Sequence, residues 1–314
     1  MTRPTPGFRL LIAATALAAW ALVAVGGLVR VSRSGLGCPD WPLCNGRAVP
    51  LAHKEPIIEY SHRFTASTVT ILLLASTIWA FRRYRDRTNV TVPLAVAVAL
   101  VPLQALLGAV VVWLELPAGI VGLHFMVGLV FLGTIVYAAA AALRGPTPVA
   151  GVYRSVAMWI AATGLLLVSL GATVVATDAE EACGQEWPLC NSGAVSGDRL
   201  AVLQVVHRTV GYCVLGLAIG LFVLAVRGRG PLLAGIAPAG LALVQICFGV
   251  GIVLTGDETV LHDAFRVLHV AGSGAVWTSI VCVFTVALVP PTADEPAGGL
   301  QPASLPPTLL TTTR

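Results

Sequence analysis

Two short stretches carry the residues most able to do chemistry. Glu59-Tyr60-Ser61-His62-Arg63 heads one apolar run, and Gln204-Val205-Val206-His207-Arg208 heads another, 145 positions on. Lipid solvates neither histidine nor arginine, so a His-Arg pair at the mouth of a membrane helix is costly and points to function. His124 and His269 repeat the same spacing of 145. All four histidines fall at the outer ends of even-numbered apolar runs, which enter the membrane in the same direction. In an up-down bundle the second and fourth helices face each other diagonally, so His62 can meet His124, and His207 can meet His269. Two neutral imidazoles converging between helices form a natural axial pair for haem iron. The competing reading is a set of histidines satisfied by helix–helix hydrogen bonds. Copper or zinc fits less well, because no Met, Cys or carboxylate completes a ligand set within the apolar runs.

The neighbours fit a flat macrocycle. Gly128 and Gly211 lie four residues after His124 and His207, Gly272 three after His269, and Ala66 four after His62. One helical turn along, small residues leave room beside an imidazole. Arg63 and Arg208 are placed to meet propionates near the outer surface. The two stretches differ at one decisive position. Glu59 sits one turn before His62, whereas Gln204, its neutral near-isostere, sits one turn before His207. A carboxylate beside a reacting centre takes up protons or stabilises developing positive charge, which assigns chemistry to the first half and a permanent electron-relaying haem to the second. The plainer reading of Glu59 is an acid complementing a helix N-terminus. Arg30 is likewise matched by Val175. His53 and His262 fall in outer loops without counterparts. His53 reads as solvated, and His262, seven residues before His269, as a candidate for proton transfer.

The elements that must position these groups are membrane helices. Of 314 residues, 57% are hydrophobic and 11% charged, against roughly 25% charged in soluble domains, and the mean hydropathy is +0.87. No basic patch interleaved with aromatics and no zinc-finger spacing suggests nucleic acid; the surrounding partner is lipid. Eight runs reach the ~20 residues a bilayer requires: near 10–29, 64–81, 92–114, 120–143, 155–177, 201–226, 231–255 and 267–289. The first is not a cleaved leader, because it lacks a small-residue cleavage site and its Gly26, Val29 and Ser32 match Gly171, Val174 and Thr177. With the N-terminus inside, the inner segments hold eleven arginines and three acids. The positive-inside rule then puts both termini in the cytoplasm.

Trp41-Pro42-Leu43-Cys44-Asn45 returns as Trp187-Pro188-Leu189-Cys190-Asn191, and Gln104 with Gly108 returns as Gln245 with Gly249. The expected fold is therefore all-α and integral to the membrane: eight transmembrane helices in two parallel-repeat four-helix bundles. Residues 1–143 form the first half, expected to be catalytic, 144–154 a cytoplasmic linker, and 155–290 the second half, expected to hold the permanent haem. The Pro- and Thr-rich 291–314 form a disordered tail. Among seven cysteines, Cys38 with Cys44 and Cys183 with Cys190 fall in outer loops on the oxidising side and predict disulfides. Each is either a staple shaping a lid or a redox pair, Cys38–Cys44 being the better redox candidate. Cys213, Cys247 and Cys282 read as small core residues.

Taken together, Gly27-Leu28-Val29-Arg30, the run Ser34-Gly35-Leu36-Gly37-Cys38-Pro39-Asp40-Trp41-Pro42-Leu43-Cys44, Glu59 to Arg63, Gln104 with Gly108, His124, Gln204 with His207-Arg208, and His269 resemble the haem A synthase family. The likeness spans about residues 8–290, and is to the bacterial type with a cysteine pair in both large outer loops. It implies oxidation of a methyl group on the haem O ring to a formyl group, by two hydroxylations and loss of water, giving haem A for terminal oxidases. It implies that His207 and His269 ligate a resident haem b, that His62 and His124 bracket the iron of the substrate haem O, and that Glu59 is catalytic. A haem O synthase, the upstream farnesyltransferase, would supply the substrate. The electron acceptor and any homo-oligomer stay open. The second loop departs from the pattern, with Ala182-Cys183-Gly184-Gln185-Glu186 where the first has Gly-Cys-Pro-Asp. Competing functions are a dihaem b-type electron carrier, which would not need Glu59, and a haem transporter without redox turnover.

Overall fold

The computed structural model describes residues 3–50, 52–145, 147–188, 190, 197–255 and 259–291. Eight long helices dominate: α1 (Pro6–Val31), α2 (Lys54–Arg83), α3 (Thr88–Trp113), α4 (Ala118–Leu143), α5 (Gly151–Ala176), α6 (Arg199–Val226), α7 (Leu232–Leu254) and α8 (Val260–Leu288). All eight are long and apolar enough to cross a bilayer, and no strand forms among the described residues. The chain is an all-α, multi-pass membrane protein. Helices are the open-chain solution in lipid because they satisfy every backbone polar group internally.

Each set of four helices closes a ring. In the first, α1 packs on α2 and α4, and α3 on α2 and α4; in the second, α5 packs on α6 and α8, and α7 on α6 and α8. The rings meet where α8 lies against α1 and α4, and where α4 lies against α5. The most buried helices follow from this: α4 and α8 bury Leu132, Ile135, Ile280 and Val283 between the rings, while Leu10, Trp159 and Leu233 face outward. Two indoles bridge the seam. Trp20 Nε1 donates to Ala271 O at 3.0 Å, and Trp277 Nε1 to Leu129 O at 2.8 Å. Arg144, at the end of α4, donates from Nε to the Val289 carbonyl that ends α8, at 3.2 Å, placing positive charge where the helix dipole is negative.

Five helices start four or more residues before the expected position, and three of these bear on the layout. α2 begins at Lys54 rather than near 64, and α8 at Val260 rather than near 267. Hydropathy underreads both, because their first two turns carry polar residues: Lys54, Glu55 and Glu59, of which Glu59 meets the Cys38 N–H, and His262, Asp263 and Arg266, of which His262 meets Thr255 and Arg266 pairs with Glu180. α5 starts at Gly151, inside the span read as linker. The consequence is that Glu59 and His62 sit on one continuous helix, and His262 lies in the first turn of α8 rather than in a loop. The expected tail lies, from residue 292 on, outside the described residues.

Candidate functional site

The site is built from helix faces. Each of the four histidines stands on an even-numbered helix, and each imidazole lies against a glycine of the helix before it. A Cβ on Gly26 would sit 3.2 Å from the His62 ring carbon Cε1, on Gly171 3.3 Å from that of His207, on Gly108 3.5 Å from that of His124, and on Gly249 3.3 Å from that of His269. At 26, 171 and 249 a Cβ would press on the ring, so glycine serves the close approach of helix and imidazole there; at 108 it would make ordinary contact. The two pairs also share a second brace. Gln104 Nε2 donates to the His124 carbonyl at 3.2 Å, and Gln245 Nε2 to the His269 carbonyl at 2.8 Å. Gln104 with Gly108, and Gln245 with Gly249, thus act as units: the amide holds the histidine's turn, and one helical turn on the glycine makes space for its ring. The matched spacing exposed these four residues in the sequence, but their work was visible only in three dimensions.

In the second ring, His207 and His269 line one cavity, with about 1450 Å³ of empty space including its open mouth. It has the concave, mostly apolar character of a small-molecule site. Its walls include Leu167, Val168 and Val250, and Phe125 of α4 closes one side. Gly211 opens toward it, its nearest neighbour on a Cβ being Leu167 at 3.9 Å. Gly272 does not: it packs against Gln245 and Phe248 of α7, so its small size serves helix contact rather than a plate beside His269. Polar groups on the cavity wall include Gln204, Arg208, Arg266, Glu180 and Arg30, the last reaching across from α1. Arg30 donates to Val175 O at 3.2 Å and pairs with Asp178 at 2.5 Å. Arg266 pairs with Glu180 at 2.6 Å. Arg208 donates to Glu186 O at 2.8 Å. Arg208 Nη2, Arg30 Nε and Glu180 Oε2 are nevertheless buried without a hydrogen-bond partner.

In the first ring, His124 lies within electrostatic reach of His62. Beside them Glu59 is buried, at 4% exposure, and both its oxygens are engaged. Oε2 accepts from the Cys38 N–H at 2.7 Å, and Oε1 pairs with Arg63 at 2.5 Å. Arg63 also donates to Cys38 O at 2.9 Å and Leu43 O at 2.8 Å. The guanidinium expected to meet a propionate is here occupied by the loop above it. Cys38 and Cys44 are joined in a disulfide, as are Cys183 and Cys190. The first loop is shaped further by Asp40, whose carboxylate accepts from the N–H groups of Gly46, at 2.6 Å, and Asn45. Those bonds, the Gly46 one foremost, hold the Asp40 carboxyl below its ordinary range. Trp41 stacks edge-on against Trp113, 6.0 Å between ring centres, tying the loop to α3.

Other expectations shift. Cys213 and Cys247 are exposed on the apolar surface, not in a core; only Cys282 is half-buried. α6 and α7 turn those thiols outward because their inward faces carry His207 and Gln245. His53 is the exposed residue preceding α2. His262 is buried, its Nδ1 3.2 Å from Thr255 Oγ1.

The donor set fits a haem-like group. Nδ1 of His62, His124, His207 and His269 is in each case buried without a hydrogen-bond partner, although every one of these residues keeps part of its surface open. Nδ1 of His62, His207 and His269 lies toward the backing helix, 3.5, 3.9 and 3.6 Å from where a Cβ on Gly26, Gly171 and Gly249 would sit, so a ligand on the other side of the ring would meet Nε2. Among the described residues no three His, Cys, Asp or Glu side chains gather as a metal site, whereas structural zinc requires four ligands and catalytic zinc about three from protein. A pair of imidazoles is what a macrocycle-bound iron asks of a protein.

Fold and site together define a polytopic helical membrane protein organised around two pairs of intramembrane histidines. The sequence model of the COX15-CtaA family, described as Cytochrome oxidase assembly protein, matches residues 9–281. Curated relatives agree. A protein named Heme A synthase from Shouchella clausii is 28% identical over 280 residues, covering 84% of this chain and 93% of its own. One of the same name from Halalkalibacterium halodurans is 32% identical over 252 residues, covering 74% and 82%. The chain belongs to the COX15-CtaA family.

Proposed function

We propose that this chain is a haem A synthase, an oxidoreductase that converts a ring methyl group of haem O into the formyl group of haem A. The observation that carries the reading is the asymmetry of two similar sites: glycine-backed imidazoles occur in both rings, and only in the first does a carboxylate, Glu59, stand one helical turn before a histidine, where the second has Gln204. The relatives' printed name points to the same activity. The two rings are read as duplicated halves, entering the membrane in the same sense with both termini in the cytoplasm.

His207 and His269 would hold a resident haem b, with Arg208 and Arg30 offering their unpartnered nitrogens to its carboxylates. When bound, that group supplies reversible one-electron transfer. His62 and His124 would bracket the iron of the substrate haem O. Glu59, fixed one turn before His62 and paired with Arg63, takes up a proton or stabilises positive charge that develops at the reacting methyl. The disulfide-closed loop of Cys38–Cys44 lies over this corner and keeps water from it. The substrate's source is a farnesylating haem O synthase in the same membrane.

Reversed-phase analysis of extracted haems tests this. The wild-type chain should carry haem b together with haem O or haem A, and Glu59→Gln should lose the formyl product while keeping haem b. Full haem A formation by Glu59→Gln would sink the catalytic assignment. Two equally retained b-type haems with no formyl product would favour an electron carrier.

A further inference from the structure

We propose that Arg63 and the backbone at Cys38 are positioning groups for Glu59, so that the Cys38–Cys44 bond governs where the carboxylate sits. The proposal builds on the reading of Glu59 as the catalytic carboxylate, but its geometry stands by itself. A buried carboxylate has no water to fix its rotamer, so its donors do. Here one donor comes from its own helix, Arg63 at 2.5 Å, and one from the loop, the Cys38 N–H at 2.7 Å. Arg63 in turn is held by two carbonyls at the ends of that loop, Cys38 O and Leu43 O, at 2.9 and 2.8 Å. The disulfide keeps those ends together, with the Cys38 and Cys44 Cα atoms 4.4 Å apart, and thus within the span of one guanidinium fork. Each member braces the next: disulfide, carbonyl pair, guanidinium, carboxylate.

The loop is also pressed on α2. A Cβ on Gly37 would lie 2.6 Å from Glu55 O and from Pro56 N, both backbone atoms that cannot yield. Glycine at 37 therefore brings the Cys38 N–H down to Glu59. In the second ring the corresponding position is Gln204, and Arg208 donates to one described carbonyl, Glu186 O. Opening Cys183–Cys190 should therefore leave Glu59 untouched.

Infrared difference spectra of the purified full-length, haem-loaded chain in lipid discs read the carboxylate directly, the band being assigned by its loss in Glu59→Gln. Opening the disulfides with a phosphine should shift that band in the wild type and in Cys183→Ser/Cys190→Ser. In Cys38→Ser/Cys44→Ser the band should already be displaced and should not respond. Gly37→Ala and Arg63→Gln should displace it with the sulfurs intact. Arg63→Lys, which keeps the charge but loses the fork, should displace it less. Turnover of Arg63→Gln should fall at least about tenfold with substrate affinity kept, as expected when a reacting group is misplaced and binding is untouched. The retained-haem spectrum should stay unchanged throughout, reporting a folded chain. A Glu59 band that does not move when Cys38–Cys44 opens would overturn the proposal whatever turnover does. A band that moves while Glu59→Gln retains full turnover would leave the positioning in place and remove only the catalytic role.

Discussion

The loop-covered corners of the two rings start from the same dipeptide, His-Arg, and put its arginine to different use. At His62-Arg63 the guanidinium is spent on Glu59 and on the carbonyls of Cys38 and Leu43. At His207-Arg208 one nitrogen meets Glu186 O and Nη2 is left buried and unpartnered on a cavity wall. The residue one turn earlier accounts for much of the contrast. A buried carboxylate demands a charged donor, because leaving it unpaired is far costlier than leaving an amide. With Gln204 in its place the arginine is released toward whatever fills the cavity. On the proposed reading, one substitution separates a corner that fixes a reactive group from a corner that receives a ligand.

The comparison can be broken most directly through its ligands. His207→Ala or His269→Ala should reduce retained haem b by more than the ~10–100-fold typical of removing a supporting residue, and His62→Ala should leave it in place; pyridine haemochrome assays measure both. Equal losses from both rings would erase the distinction between them.

The glycines sharpen it. Gly171→Leu and Gly249→Leu would drive side chains into imidazoles that approach to 3.3 Å, and should cost about 10–100-fold in haem b retention. Gly26→Leu, facing His62 at 3.2 Å, should lower formyl product with haem b unchanged. Gly108→Ala, at 3.5 Å, is ordinary contact and should be tolerated. A smaller effect is expected from the amide braces. Gln245→Leu removes one hydrogen bond worth ~1 kcal/mol, so haem b should dissociate roughly five-fold faster, while Gln104→Leu should alter only the substrate side. Stopped-flow transfer to apomyoglobin would record either.

The smallest effect concerns pH. The Asp40 carboxyl is depressed by the Gly46 and Asn45 N–H groups. The order it lends the first loop is therefore present above the ordinary carboxylate range and is lost as pH falls through the depressed value. Thiol labelling after mild reduction should find Cys38 and Cys44 more accessible at the acid end, with Asp40→Asn removing that pH dependence. Cys183 and Cys190 should not follow it.

Composition and pattern alone determined a great deal of this molecule. Long apolar runs have one open-chain solution in lipid, so eight helices were legible, and a spacing of 145 marked His62, His124, His207 and His269 without any coordinates. The cysteine pairs were legible because each falls within a few residues of its partner in a loop between apolar runs. Tertiary structure decided what hydropathy could not register. α2 and α8 start a turn or more early because Glu59 and His262 find partners that only packing supplies. Cys213 and Cys247 face outward because helix rotation is set by neighbouring helices, not by the residue. Above all, the backing of each imidazole by a glycine on another helix, the reach of Arg30 across the seam, and the diversion of Arg63 to a loop about twenty residues upstream are long-range contacts. Such contacts depend on how helices are juxtaposed, and no local propensity encodes that.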